Sequence, residues 1–283
     1  MFKKDKSVKG IAADVTSTIL EEGTVTVLEN LPMIATEAEK IIGNSAISTT
    51  VQTLAGGILG AIAPGVFSMG LTFQQKRFER NVTKLLQELN THMTEVDKRL
   101  DKLDPEVREK FIDGSYRDIL LDNIISENQE QKIQDNINGY INLMSVEDPN
   151  DDFVFSFFNT LAEMNELDIK VLKIYRPAYE RTEDEAYENY YTVIQSEGID
   201  DQQYDFIREK LVRLGMLTSK NEERRDKNLE TIGNTLTELL KQIGAKHPKD
   251  VKPPKLEKIS RSDSYRVTPL GRQFLQFINE PVE

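Results

Sequence analysis

At 283 residues, with 30% charged and 38% hydrophobic side chains, the chain has the material for one large domain or two smaller ones. It contains no cysteine, which excludes a disulfide framework, a thiolate metal site and a cysteine nucleophile. The net charge of −12 is uneven: 145–208 carries sixteen acids against five bases, whereas 241–266 carries eight bases against three acids. That balance argues against general coating of nucleic acid and leaves the basic tract as the part suited to phosphate or an acidic partner.

The N-terminal MFKKDKSVKG is basic, but the residues after it are mixed and include Asp14, Glu21, Glu22 and Glu29, so no secretion signal is expected. Over 1–40 there is loose helical periodicity (Ile11, Val15, Ile19, Val27, Leu28), with Gly23 and Pro32 read as interruptions. Ile41 to Gln75 then contains no charged residue, a 35-residue gap in a chain nearly one-third ionised. Its centre, TLAGGILGAIAPGVFSMGLTF, allows three physical readings: a membrane, a buried hairpin, or a surface that switches between them. A spanning helix needs about 20 mainly apolar residues, and here Ser, Thr, Gln and Gly dilute the run. Gly56/Gly60 and Ala61/Gly65 are small-xxx-small pairs that permit close helix approach. Pro64 predicts two short helices meeting near Ala63–Pro64, buried in protein or inserted shallowly in lipid. The expected membrane or oligomer contacts are Leu54, Gly56, Ile58, Leu59, Gly60, Ile62, Pro64, Val66, Phe67 and Leu71.

Residues 76–104 predict one long helix. Phe78, Val82, Leu85, Leu89, Met93, Val96, Leu100 and Leu103 step by 4, 3, 4, 4, 3, 4 and 3, a coiled-coil seam with one stutter. It suits pairing between chains or packing along the chain's own bundle. His92 sits beside this seam and is expected to pack there. Asp104-Pro105 ends the helix and opens another. Phe111, Ile119, Leu120, Ile124 and Ile125 continue the apolar face, and a further helix is expected over 127–144. The acidic run 147–152 reads as a turn and helix start. The segment FVFSFFNTLAEM reads as a buried helix, with a strand as alternative for its first half.

From 165 onward the pattern suggests a winged helix. Leu167–Tyr175 is a first helix, 184–196 a second, and Asp201–Leu214 a third, with Asp200 or Asp201 as N-cap and Gly215 just past its end. MLT and SYRVT are short β-prone pieces able to pair, and TPLGRQFLQFI is a closing helix. Between the strands, 220–260 holds an amphipathic helix (Leu229, Ile232, Leu236, Leu239, Leu240, Ile243) and then a Pro/Lys-rich loop, KHPKDVKPPKLEK, expected to be mobile. Lys246, Lys249, Lys252, Lys255 and Lys258 are the candidate phosphate contacts. The third helix opens on Asp200, Asp201 and Asp205, which would repel phosphate where recognition helices usually make contacts. A structural or protein-binding role is therefore preferred.

Chemistry-bearing motifs are scarce. There is no Walker loop, GxGxxG or GxSxG. Asp148, Asp151 and Asp152 lack calcium-loop spacing and read as a solvated capping run. His92 and His247, the two histidines, are far apart in sequence. Tyr187, Tyr190 and Tyr191 read as core and interface. No catalytic residue, cofactor or metal is expected.

The order of these pieces resembles a known family. An uncharged Gly/Pro segment leads into QQKRFERNVTKLL. DNINGYINLM, FFNTLAEMNELDIKVLKIY and LVRLGML follow, and the chain closes on Tyr265, Val267, Thr268, Leu270, Gly271 and Phe274 of YRVTPLGRQF. Over about 45–279 this is similar to the bacterial abortive-infection alpha family of phage-defence proteins. The resemblance implies a role in phage–host conflict and no reaction; the insertion at 220–260 departs from it.

The resulting expectation is a mainly α protein: an N-terminal helical region (1–104) with hydrophobic hairpin and long helix, a helical bundle (105–164), and a C-terminal winged-helix domain with a small β-wing (165–283). Its expected function is non-enzymatic defence through a switchable membrane-interacting or self-associating segment. Alternatives are a winged-helix DNA-binding regulator and a soluble oligomeric scaffold. Expected partners are further copies of the chain, the inner membrane and a phage or host protein trigger, with nucleic acid ranked lower. The expected location is the cytoplasm, peripheral to the inner membrane.

Overall fold

The computed structural model describes residues 32–42, 44, 49–66, 72–125, 127–177, 179, 181, 189–243, 249–260 and 264–281. Helices dominate, with one two-stranded sheet among the described residues. The chain divides into two compact units, Met1–Glu166 with Phe277–Glu283, and Leu167–Gln276. The periodicity read over 1–31 lies outside the described residues.

In the first unit, α1 spans Pro32–Ile42. Pro32 does not interrupt this helix but begins it, where its missing N–H costs nothing. Ile34, Ala38 and Ile41 recur at helical spacing and are buried, and α1 packs on α3 (Thr72–Thr91). Helix α2 runs unbroken from Thr49 to Val66. The expected break at Ala63–Pro64 does not occur: Pro64 lies in the last turn, where the hydrogen bond it removes is near the helix end.

The helix expected over 76–104 is two helices, α3 and α4 (Met93–Lys102), parted at His92. The break follows directly on the two successive four-residue steps Leu85–Leu89–Met93, where the apolar stripe drifts off a straight seam. Phe78, Val82, Leu85, Leu89, Val96 and Leu100 are buried, and Met93 is half-buried. Within the unit α3 faces α1, α2, α6 (Ser115–Ile125) and α7 (Glu130–Leu143). His92 is half-buried with Nε2 3.7 Å from Glu88. Asp104-Pro105 opens α5 (Pro105–Asp113), although the Asp104 side chain makes no cap bond.

Helix α7 is the unit's centre: Ile133, Ile137, Tyr140 and Ile141 are buried, and so are Lys132, Asp135, Asn136 and Asn138. Helix α8 (Asp151–Glu163) settles the FVFSFF ambiguity as helix, capped by Asn150 accepting from the Phe153 amide. It is buried on one face only: Val154, Phe158 and Leu161 point inward while Phe153 is exposed.

The second unit holds α9 from Leu167 (the helix is Glu166–Ile174), α10 (Tyr190–Glu197) and α11 (Asp201–Arg213). Capping boxes start two of them: Asn189 with Thr192, and Asp200 with Gln203. Gly215, at φ +74°, ends α11 as expected. Strand β1 (Leu217–Ser219) pairs antiparallel with β2 (Tyr265–Val267), Leu217 opposite Val267 and Ser219 opposite Tyr265. Helix α12 (Lys220–Ile243) follows β1, and α13 (Pro269–Ile278) follows β2. The glycine of the Thr-Pro-Leu-Gly run has a steric reason: a Cβ at Gly271 would lie 2.3 Å from the Met216 carbonyl oxygen. Tyr191 is exposed rather than core, Tyr190 is half-buried, and Tyr187 lies outside the described residues.

Candidate functional site: the seat of the uncharged helix

The first half of α2 is embedded in the first unit. Val51, Leu54, Ala55, Ile58 and Leu59 are at most 2% exposed, and Gly56 is buried. Side-chain surroundings of Gly60, Ile62, Pro64 and Val66, and all of Phe67 and Leu71, lie outside the described residues. The described helix faces α1, α3, α4, α5 and α6.

Its closest approach is at Gly57, one residue away from the Gly56/Gly60 pair picked by spacing. A Cβ at Gly57 would stand 2.4 Å from the carbonyl oxygen of Ile112 in α5. Backbone therefore rests on backbone at that point. Arg117, in the first turn of α6, fixes the same spot: its Nη1 donates to the carbonyls of Gly57 (3.3 Å) and Ile112 (3.4 Å). Asp113 and Asp118 also accept from the guanidinium. Burial works to lower the Arg117 pKa, but these two carboxylates outweigh it and hold the group charged.

The ledge under Gly57 is itself anchored. The Tyr140 hydroxyl donates to the Phe111 carbonyl at 2.6 Å. The Phe111 ring meets Tyr116 and Tyr140 edge-on, at centroid distances of 5.0 and 5.4 Å. Desolvation pushes the Tyr140 and Tyr116 hydroxyls well above the ordinary phenol range, so both remain donors. Tyr116 donates to Asp151, which Lys110 also grips at 2.7 and 2.8 Å. Above all through Lys110, these bonds hold the Asp151 carboxyl below its usual range. On the far side of α6, Asn81 donates to the Ile124 and Glu127 carbonyls at 2.7 and 2.9 Å, satisfying the helix end. A cleft of about 430 Å³ beside Thr50, Thr53, Arg108 and Glu109 opens near the start of α2. Arg108 there bonds Thr50 and lies 3.4 Å from Asp101.

No helix among the described residues is long and apolar enough to cross a membrane. Nor do three or more His, Asp or Glu side chains gather to hold a metal among them.

In the second unit, the exposed opening of α11 is acidic: Asp201, Gln202, Gln203 and Asp205 face solvent. Its cations are engaged within the unit. Arg208 pairs with Asp205 and lies over the Tyr204 and Tyr265 rings, 5.2 and 4.7 Å from their centroids. Lys210 meets buried Asp168 at 2.6 Å.

The Pro/Lys tract, expected to be mobile, is a strap over 249–260 fastened antiparallel to α12. Asn228 exchanges two bonds with the Glu257 backbone (2.9 and 2.7 Å), and Asn221 does the same with Ser260 (3.0 and 3.0 Å). Gln242 accepts from the Lys249 amide at 2.8 Å. The side-chain amide imitates a peptide group and replaces a strand partner. Between the two asparagines seven helical residues rise about 10.5 Å, close to the reach of the three extended residues from Glu257 to Ser260. Lys249, Lys252, Lys255 and Lys258 recur every third residue and are exposed; Lys246 lies outside the described residues.

No protein family, curated protein or solved structure matches this chain.

Proposed function

We propose that the chain is a non-enzymatic, abortive-infection-like defence protein that stores its uncharged helix in a protein seat and releases it toward the inner membrane. The observation that carries this reading is the Gly57–Ile112 contact with Arg117 bonded across it. One uncharged helix is held by apolar packing, by the Arg117 bond to the Gly57 carbonyl and by the Arg108 bond to Thr50. Burying an apolar side chain is worth roughly 1.5–3 kcal/mol whether the cover is protein or lipid, so the two sites can be nearly balanced. Lipid contact would be a shallow hairpin of α2 with the chain that follows it, since α2 is 18 residues long and rich in glycine. A phage or host protein that displaces α5 or engages Arg117 would be the trigger. The second unit, read as a winged helix, would sense or hold that partner. The protein would then reside in the cytoplasm, peripheral to the inner membrane once triggered.

Flotation of the intact protein with phosphatidylethanolamine/phosphatidylglycerol vesicles tests this. The wild type is expected to remain with the soluble fraction and Gly57→Leu to float. A folded Gly57→Leu that ignores vesicles would refute release. Arg117→Met, which breaks the latch without overfilling the seat, is expected to float partially.

One observation favours a DNA-binding reading: the four exposed strap lysines at regular spacing. The acidic opening of α11 opposes it. A gel shift at low salt, lost in Lys252→Glu/Lys255→Glu and falling steeply with salt, would support this second reading.

A further inference from the structure

Helix α12 and the strap form one ridge in the second unit. Of the 24 residues of α12, Asn221 alone is buried. Leu229, Leu236, Leu240 and Ile243 share one face and are 54–79% exposed. The strap runs along one edge of this stripe, because Asn228 and Gln242, which fasten it, adjoin Leu229 and Ile243. Its sequence falls into triplets headed by Lys249, Lys252, Lys255 and Lys258. The third members turn to the helix: Val251 and Pro254 are half-buried, while Glu257 and Ser260 bond Asn228 and Asn221 through their backbones. The four lysines are exposed. Glu257 does not neutralise them, since Arg224 and Lys227 of α12 engage it at 4.0 and 3.8 Å. Over 239–260 six bases stand against two acids, in a chain of net charge −12.

The lysine edge selects the occupant. It repels a basic partner and matches an anionic one, and the stripe beside it requires that partner to be apolar as well. A polynucleotide supplies the charge but has no aliphatic face for the leucines, and 220–260 holds no Phe, Tyr or Trp on which bases would stack. An anionic bilayer would meet both edges of the stripe, and the edge away from the strap carries exposed Asp226 and Glu230. A protein helix meets every condition: it can present leucines on one face and carboxylates on the single edge that lies against the strap.

We infer that the ridge of α12 and strap is the docking surface for an acidic amphipathic helix of another protein, whose apolar face covers Leu229, Leu236, Leu240 and Ile243 and whose carboxylates meet the strap lysines. The inference rests on the reading of the second unit as the part that holds a protein partner, and it names that partner's chemistry. The charges steer encounter and fix the direction of the bound helix, while burial of the stripe supplies attraction that salt does not screen.

Fluorescence anisotropy with the full-length protein and two synthetic zipper peptides tests it. Both peptides carry Leu at positions a and d; one has Glu at e and g, the other Lys. The Glu peptide is expected to bind, more weakly as salt rises, and the Lys peptide to stay free. Lys252→Glu/Lys255→Glu and Leu236→Asn, all at exposed positions, are each expected to keep the far-ultraviolet spectrum and to weaken Glu-peptide binding at least about tenfold. A Glu peptide that stays free overturns the inference, as does equal binding of both peptides or binding that neither variant weakens. If the Glu peptide stays free while phosphatidylglycerol vesicles or duplex DNA bind through Lys252 and Lys255, the anionic partner is of that other class. If the protein then self-associates through Leu236, the occupant is a second copy. The measurement involves neither α2 nor lipid, so failure of Gly57→Leu to float would leave a positive result standing, and a negative result here would leave the α2 seat untouched.

Discussion

Replacing Gly57 by alanine puts a methyl group where the structure has a carbonyl oxygen. The new Cβ would stand 2.4 Å from Ile112 O, against the 3.4 Å at which ordinary contact begins, and 3.4 Å from Arg117 Nη1. Because the obstacle is backbone held by Tyr140, α2 or α5 must move by about 1 Å. Overfilling of this kind costs about 1–3 kcal/mol, toward the upper end where no flexible side chain can yield. The helix gains about 1 kcal/mol from replacing glycine by alanine. Displacement also lengthens the Arg117 bond to Gly57, already 3.3 Å. The net loss is about 2 kcal/mol, or a fall in midpoint of roughly 4–8 °C for a unit of this size. Thermal unfolding of Gly57→Ala beside Gly233→Ala provides the assay, since Gly233 has open space around its Cβ position and its alanine variant is expected to gain up to about 1 kcal/mol. The two glycines are thus expected to move stability in opposite directions. Equal stabilisation by both would show that Gly57 carries no close contact, and the reasoning would fail.

Asn81→Ala strips the Ile124 and Glu127 carbonyls of their side-chain donor and is expected to cost about 2 kcal/mol in urea unfolding; a neutral result would mean that water replaces the amide. Glu127, whose carboxyl burial would raise, is instead lowered below 4.5 by Lys132 and the Gln129 and Asn128 amides. A depressed carboxyl contributes stability that is present above its unfolded value and lost as pH falls through the folded one. Stability is therefore expected to decline below about pH 4.5 and Glu127→Gln to flatten part of that decline; parallel pH curves would count against it. Asn221→Ala/Asn228→Ala should free the strap and speed tryptic cleavage after Lys255 and Lys258 with helix content unchanged. Cleavage at the wild-type rate would mean that the strap is held by other contacts.

The helices of the first unit were legible because their apolar spacing is regular, and even the break at His92 has a trace in the doubled four-residue step before it. Pro32 and Pro64 look like breaks in the sequence but lie at helix ends, where a proline costs little and which spacing alone does not mark. The seat was legible as a region but not as a contact. Spacing selects Gly56 and Gly60, whereas the face that meets another backbone is decided by where α5 passes, and that put Gly57 on the ledge. The bonds by which Arg117 and Asn81 join elements leave no local signature, because the Gly57 and Ile124 carbonyls lie 60 and 43 residues away from them. The strap left one signal, Asn221 and Asn228 seven apart on one face of α12. Composition alone makes the tract look like a mobile loop, since the asparagines' partners are backbone groups 39 and 29 residues away.

The account turns on α2 being stored rather than displayed. Hydrogen exchange over Val51–Leu59, read by mass spectrometry with and without phosphatidylethanolamine/phosphatidylglycerol vesicles, addresses that directly. The expected result is slow exchange comparable to α7 in the resting wild type. In Gly57→Leu, exchange should become fast in buffer and slow again once vesicles are added. Fast exchange over these residues in the resting protein, or no response to vesicles in the released variant, would contradict it.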